Sequence, residues 1–197
     1  MAATRPTRVK TQPPARRSYR HGDLYNALLE AGIDLAREGG PDAVVLREAT
    51  RRAGVVPNAA YRHFANRDAL FEAVRSSALS MVAVAMEEEI ARALRGRKAP
   101  LELARAKLRA IGTGYLRFAR TETGLFRTAF SPAASGTDLV ALPSRAGVSG
   151  LNPFELLGSA LDALQAAGAL AAEHRPGAEY LAWSTVHGMA LLGIDGP

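Results

Sequence analysis

Asn58, Tyr61, Arg62 and His63 fall on one short stretch of chain, with Arg47 and Thr50 before them, Ala59 among them and Arg67 just after. An amide, a phenol, guanidinium groups and an imidazole are the donors and acceptors that read base edges and hold phosphates in a duplex. Nothing comparable points to bond-breaking chemistry. The four histidines are His21, His63, His174 and His187, and none has a second histidine or a carboxylate at i+3 or i+4 to share a metal ion. Gly112-Thr113-Gly114 lies inside a helical pattern instead of following a strand, so it is no phosphate cradle. Glu87-Glu88-Glu89 reads as a solvated helix face. No Ser-His-Asp or paired-carboxylate spacing occurs, and the expectation is a non-enzyme with no cofactor and no metal.

The polar groups need a scaffold, and the surrounding residues describe one. Gly54 sits where a first helix must stop, because glycine takes the left-handed backbone without a Cβ clash. Pro57 follows, and proline suits the first turn of a helix. Helices over 46–53 and 57–64 around a three-residue turn are predicted. Leu46, Ala49, Ala53, Val55, Ala60 and Phe64 form the small buried face between them. Asn58, Tyr61, Arg62 and His63 take the opposite face, the layout of a helix-turn-helix.

At these residues a family resemblance becomes specific. The run from Leu24 to Val74 resembles the DNA-binding domain of TetR-family transcriptional regulators. LREATRRAGVV stands where the family has a stretch like LREIARRAGVS, followed by Tyr61-Arg62-His63-Phe64 and then by Arg67, Leu70 and Phe71. The chain departs from the pattern in three ways. Val45 and Val56 replace hydroxyl residues that cap helix N-termini, and a lost cap costs about 1 kcal/mol. Ala49 and Ala60 are smaller than usual, and Arg67 stands in for lysine. The resemblance implies that Arg47, Thr50, Asn58, Ala59, Tyr61, Arg62, His63 and Arg67 meet DNA.

Composition sets the outer bounds. The chain has 197 residues, a net charge of +6 and no cysteine, which excludes disulfides and thiolate metal sites and fits a cytoplasmic protein. Residues 1–20 carry six basic and no acidic side chains, residues 21–75 seven and eight, and residues 76–197 twelve and eleven, so the tail holds the whole excess. With Pro6, Pro13 and Pro14, that tail is expected to be disordered and to act as a phosphate-neutralising arm. No apolar run approaches the roughly 18 residues needed to span a bilayer, and no membrane partner is expected.

The rest of the chain reads as helices over 22–37, 67–95, 101–120, 121–130, 153–172 and 177–192, with a mobile Ser/Gly/Pro-rich loop over 131–152. No strand-like alternation appears. The fold class is all-α: a basic tail over 1–20, a helix-turn-helix domain over 21–66 and a helical effector-binding and dimerisation domain over 67–197. Tyr115, Phe118, Phe126, Phe130, Phe154, Trp183 and Met189 gather most aromatic and soft apolar side chains of that second half. With His187 as a polar anchor they are expected to line a site for a small apolar effector. Trp183-Ser184-Thr185-Val186-His187-Gly188 resembles a Trp-His-Gly signature of one group of TetR-family C-terminal domains. That resemblance implies dimerisation through two C-terminal helices, with Trp183 to Leu192 supplying half of the interface. The sequence as given ends just after the first of those two.

Two function classes follow. The first is a ligand-responsive repressor, a homodimer released from a palindromic operator by its effector. The second is a helical small-molecule-binding or interaction protein with weak or lost sequence-specific DNA binding, which the missing caps and the near-neutral helix-turn-helix keep open.

Overall fold

The computed structural model describes residues 21–132 and 143–196; the basic tail over 1–20 lies outside the described residues. Eight α-helices follow in order: α1 (His21–Gly39), α2 (Leu46–Arg52), α3 (Pro57–Ala60), α4 (Arg67–Leu94), α5 (Pro100–Thr121), α6 (Thr123–Ala129), α7 (Pro153–Ala166) and α8 (Ala178–Asp195). No strand occurs among the described residues, as the all-α expectation required.

α4 is the central element. Its 28 residues start at Asn66, whose side chain accepts the Ala69 N–H at 2.9 Å and so caps the helix. Leu70, Val74, Ala78, Val82 and Met86 are buried along it. An 18-residue window of this helix reaches a mean hydropathy of 1.4, which is long and apolar enough to cross a bilayer by length and composition. That departs from the expectation that no such run exists. Scattered serines and charges hide it in the sequence, but alanine, valine and methionine dominate the window. In the fold, 56% of the window is buried against the neighbouring helices. The helix packs against α1 on one side and α5, α6 and α7 on others, so one hydrophobic cluster runs from Leu28 to Ala190. The boundary expected at residue 66 is therefore a helix cap and not a break in the core.

Two close approaches fix this packing. A Cβ on Gly114 would lie 2.7 Å from both the Ala85 carbonyl oxygen and the Met86 Cα, so α5 touches α4 backbone to backbone. A Cβ on Gly124 would lie 2.5 Å from the Arg37 carbonyl oxygen and closer still to that of Ala36, so α6 abuts the end of α1. Arg37 and Glu122 close the same contact with an ion pair at 3.0 Å.

α7 ends earlier than its composition suggests. Gly168 takes φ +71°, its N–H bonds the Gln165 carbonyl, and the Ala169 N–H returns to the Leu164 carbonyl. This left-handed stop overrides the alanine-rich segment that follows it. The described part of the loop before α7 is tied down. Ser80 Oγ donates to the Ala146 carbonyl at 2.6 Å, and Glu87 accepts the Val148 and Ser149 N–H groups at 2.8 and 2.9 Å. Arg145 is buried beside Ser76 and Glu72. A capping box of Asn152 and Glu155 then opens α7.

α2 and α3 have no such cap. Val45 and Val56 hold the N-cap positions in extended conformation with no side-chain hydrogen bond, and are 42% and 67% exposed. Threonine at Val45 and serine at Val56 are each expected to add about 1 kcal/mol. In a chain of this size that raises the thermal midpoint by about 2–4 °C per substitution, read by calorimetry.

Candidate nucleic-acid interface and apolar cavity

The helix-turn-helix stands on few side chains. Leu46, Ala49, Ala60 and Phe64 are buried, and the Tyr25 ring of α1 stacks on Phe64 at 4.9 Å. Gly54 has φ +68°, the left-handed turn that its position demanded. After α3, the His63 and Phe64 N–H groups both return to the Ala60 carbonyl, so the second helix continues as a turn.

The expected contact residues separate into two groups. Arg47, Asn58, Tyr61 and Arg62 are exposed, and neither Arg47 nor Arg62 has an ion pair among the described residues. Of the others, Thr50, Ala59 and His63 are buried or half-buried, and Arg67 is exposed but bonded within the chain. Thr50 is 3% exposed, and its hydroxyl donates to the Arg47 carbonyl at 2.7 Å. Ala59 is half-buried, as is His63, whose ring stands edge-on to Tyr25 at 6.4 Å. Arg67 donates from Nε to the Val44 carbonyl at 3.0 Å and from Nη2 to the Pro41 carbonyl at 3.1 Å. Its guanidinium also lies 5.6 Å from the Phe71 ring centre. Arg67 thus holds the entry to α2, a task that no spacing in the sequence reveals.

Electrostatics narrow the surface further. Arg51 and Arg52 both bond Glu48, and Arg52 also bonds Glu38 at 2.6 Å. The hydrogen bond from Arg51 leads in holding the Glu48 carboxyl down to about 2. Two of the four arginines between 47 and 62 are therefore matched within the chain. Arg47 and Arg62 have no such match among the described residues.

In the second half, a cavity of about 310 Å³ lies between α5 and α8, with Met86 of α4 at its base. Its wall is apolar: Leu108, Ile111, Tyr115, Trp183, Val186 and Met189 contribute most of it. Of the eight expected ligand residues, Tyr115, Trp183 and Met189 line it. Phe126, Phe130 and His187 pack behind them, with Tyr115 ring centres 5.3, 5.6 and 6.3 Å from theirs. Phe154 touches Trp183 at 5.9 Å. Phe118 lies apart, in a groove with Met81 and Val84. Aliphatic lining from α5 and Gly112 were missed, because leucine and isoleucine at helical spacing look identical whether they fill a core or face a void. A wider cleft of about 420 Å³ between the end of α4 and the start of α5 is walled by Arg97, Arg105, Arg109, Glu89 and Glu102. Those charges stay hydrated there and do not suit an apolar molecule.

The Tyr115 hydroxyl and His187 Nδ1 are 2.7 Å apart. Burial pushes the Tyr115 phenol far up and the His187 imidazole down, so both are neutral near pH 7. The unfolded chain takes up a proton on His187 below about pH 6.5, and the folded chain resists it. Stability is thus fully present above that value and falls as the pH drops below it. His187→Gln, which keeps a hydrogen-bonding group, is expected to flatten the loss of thermal midpoint between pH 7.5 and 5.5.

The interface and the cavity share a helix. Arg67 and Met86 lie on α4 about 28 Å apart at 1.5 Å per residue. A second link runs from Tyr115 to Phe126 on α6, and through Gly124 to the carbonyl end of α1.

Residues 28–74 match a family model described as "Bacterial regulatory proteins, tetR family". Residues 108–197 match one described as "Tetracyclin repressor-like, C-terminal domain". No curated protein matches the chain. A solved structure, described as that of a protein with unknown function from Rhodococcus sp. RHA1, is similar with a TM-score of 0.71 and 26% identity, over 92% of this chain and 88% of that one.

Proposed function

Because the chain belongs to the TetR family of bacterial transcriptional regulators, we propose that it is a cytoplasmic repressor that leaves its operator when a small apolar effector enters the α5–α8 cavity. Two copies form the working unit, as is usual in the family. Their α3 segments enter successive major grooves of a palindromic operator, about 34 Å apart. Asn58 and Tyr61 face base edges and phosphates, and Arg47 and Arg62 hold the backbone. The basic tail adds sequence-independent attraction.

The observation that carries this reading is the uninterrupted α4. Its Arg67 grips the carbonyls before α2, and its Met86 lines the cavity. An effector that binds best when α4 is displaced also favours wrongly spaced recognition helices. Mass action then empties the operator. Among the described residues the cavity wall has no charged side chain, which selects an uncharged, apolar effector.

The uncapped α2 and α3 and the paired Arg51 and Arg52 favour a second reading, an effector-binding protein with weak DNA recognition. One experiment separates the two. The purified protein is titrated with its own upstream intergenic DNA and with a scrambled duplex, at two salt concentrations. Tight, selective binding that weakens with salt supports the repressor. Weak binding, equal for both duplexes and lost in salt, supports the second reading.

A further inference from the structure

Arg97, just past α4, and Arg105 and Arg109 on α5 are exposed, and their side chains make no ion pair or hydrogen bond among the described residues. They surround the cleft of about 420 Å³ between the end of α4 and the start of α5. Small-molecule sites occupy roughly 300–1,000 Å³. Nearby cations are treated differently: Arg92 and Arg117 are both matched by Glu88 and Glu89. Glu89 in the cleft wall is thus already neutralised, by Arg92 at 2.9 Å and Arg117 at 2.6 Å. Glu102 is the other acid of the wall and has no ion pair among the described residues. Three free cations therefore face one free carboxylate.

The arrangement favours phosphate. Arg105 and Arg109 stand at i and i+4 on one helix face, so their guanidinium groups can converge. Each is a planar fork that matches two phosphate oxygens at once. Between the arginines the wall is built from Ala93, Ala106 and Ala110, whose methyl groups leave a low apolar floor suited to a flat ring. Glu102 can only accept hydrogen bonds when ionised, so it suits hydroxyl groups and repels a further anion. At 1.5 Å per residue, Ala93 lies about 39 Å along α4 from Arg67, away from the recognition surface. At 100° per residue, Arg105 and Arg109 also face away from the Leu108, Ile111 and Tyr115 side of α5 that lines the apolar cavity.

We propose that this cleft binds a nucleoside diphosphate, with Arg105 and Arg109 on the two phosphates, Arg97 closing on them from the α4 side and Glu102 accepting the sugar hydroxyls. The site is separate from the effector cavity and does not depend on it. Because the ligand touches both sides of the α4–α5 connection, its binding stabilises the folded chain by mass action.

The test titrates the full chain with adenosine 5′-diphosphate by calorimetry, without divalent cations, at a salt concentration of about 0.15 M. Saturable binding is expected, with adenosine and inorganic phosphate each at least about tenfold weaker. Arg105→Gln and Arg109→Gln change exposed side chains, circular dichroism checks that they stay folded, and each is expected to weaken binding about tenfold. Glu102→Gln is expected to reduce the preference for the nucleotide over pyrophosphate, which has no hydroxyl groups of a sugar to offer. Gly112→Leu obstructs the apolar cavity, since a Cβ there meets nothing within 4 Å, and is expected to leave nucleotide binding unchanged. Absence of binding at this salt would overturn the site. So would binding that both arginine variants retain, which would assign it to the basic tail. Inorganic phosphate binding as tightly as the nucleotide would mean an adventitious ion only. Loss of duplex binding in the two arginine variants would make the cleft a nucleic-acid contact and overturn the nucleotide assignment.

Discussion

Tyr61→Ala is expected to weaken operator binding by roughly a thousandfold without moving the thermal unfolding midpoint. Tyr61 is 58% exposed, its side chain makes no hydrogen bond or ring contact among the described residues, and it sits at the turn that ends α3. Its removal therefore opens no hole in the core. One lost base or phosphate contact of good geometry costs about 1–3 kcal/mol. A dimer loses it twice, so about 4 kcal/mol, which is roughly a thousandfold, is a central value. Filter binding or fluorescence anisotropy at a fixed salt concentration reads the affinity, and calorimetry reads the fold. An unchanged affinity would refute the docking of α3 in the groove. A fall in both would mean that Tyr61 supports the domain instead of reading DNA.

Gly114→Ala is expected to produce a large loss of stability for a single added methyl group. Its Cβ would meet backbone atoms of Ala85 and Met86 at 2.7 Å, and backbone in the middle of a 28-residue helix cannot rotate away as a side chain can. α5 must move off α4, at the most extensive helix contact among the described residues. Overpacking of this kind costs about 1–3 kcal/mol, and the upper end applies where no flexible atom yields. In a chain of this length a loss of about 3 kcal/mol lowers the thermal midpoint by about 6–12 °C. Gly112→Ala, two residues earlier with nothing within 4 Å of its Cβ, is the matched control. It is expected to be neutral or slightly stabilising, because alanine is the better helix former. Equal midpoints for the two variants would show that α4 and α5 are not in backbone contact.

The local parts of the structure were readable because their causes are local. Gly54 needs a positive φ wherever it sits between two helices, and Asn66 caps α4 with its own side chain. The missing caps at Val45 and Val56 were legible for the same reason: valine has no acceptor in any fold. α7 shows the limit. Its stop at Gly168 was present in the sequence, but the alanines and leucine beyond it kept the helical pattern going.

The candidate site divides along the same line. That Asn58, Tyr61 and Arg62 share an outward face follows from the small residues opposite them, since alanine and phenylalanine at helical spacing must be buried. That Arg67 clamps two carbonyls and that Glu38 reaches Arg52 depend on partners fourteen or more residues away. The aromatic residues of the second half gather in space, but which of them face a void depends on how α5, α7 and α8 cross.

The sequence by itself determined the helices, their caps and stops, and the DNA-reading type of the first domain, because each of these follows from backbone preferences and periodicity within a few residues. Only the tertiary structure decided which polar groups stay free, where the apolar cavity opens and which helix joins it to the recognition surface. Those depend on distances between elements far apart in the chain, and a pattern of residue types carries no such distances.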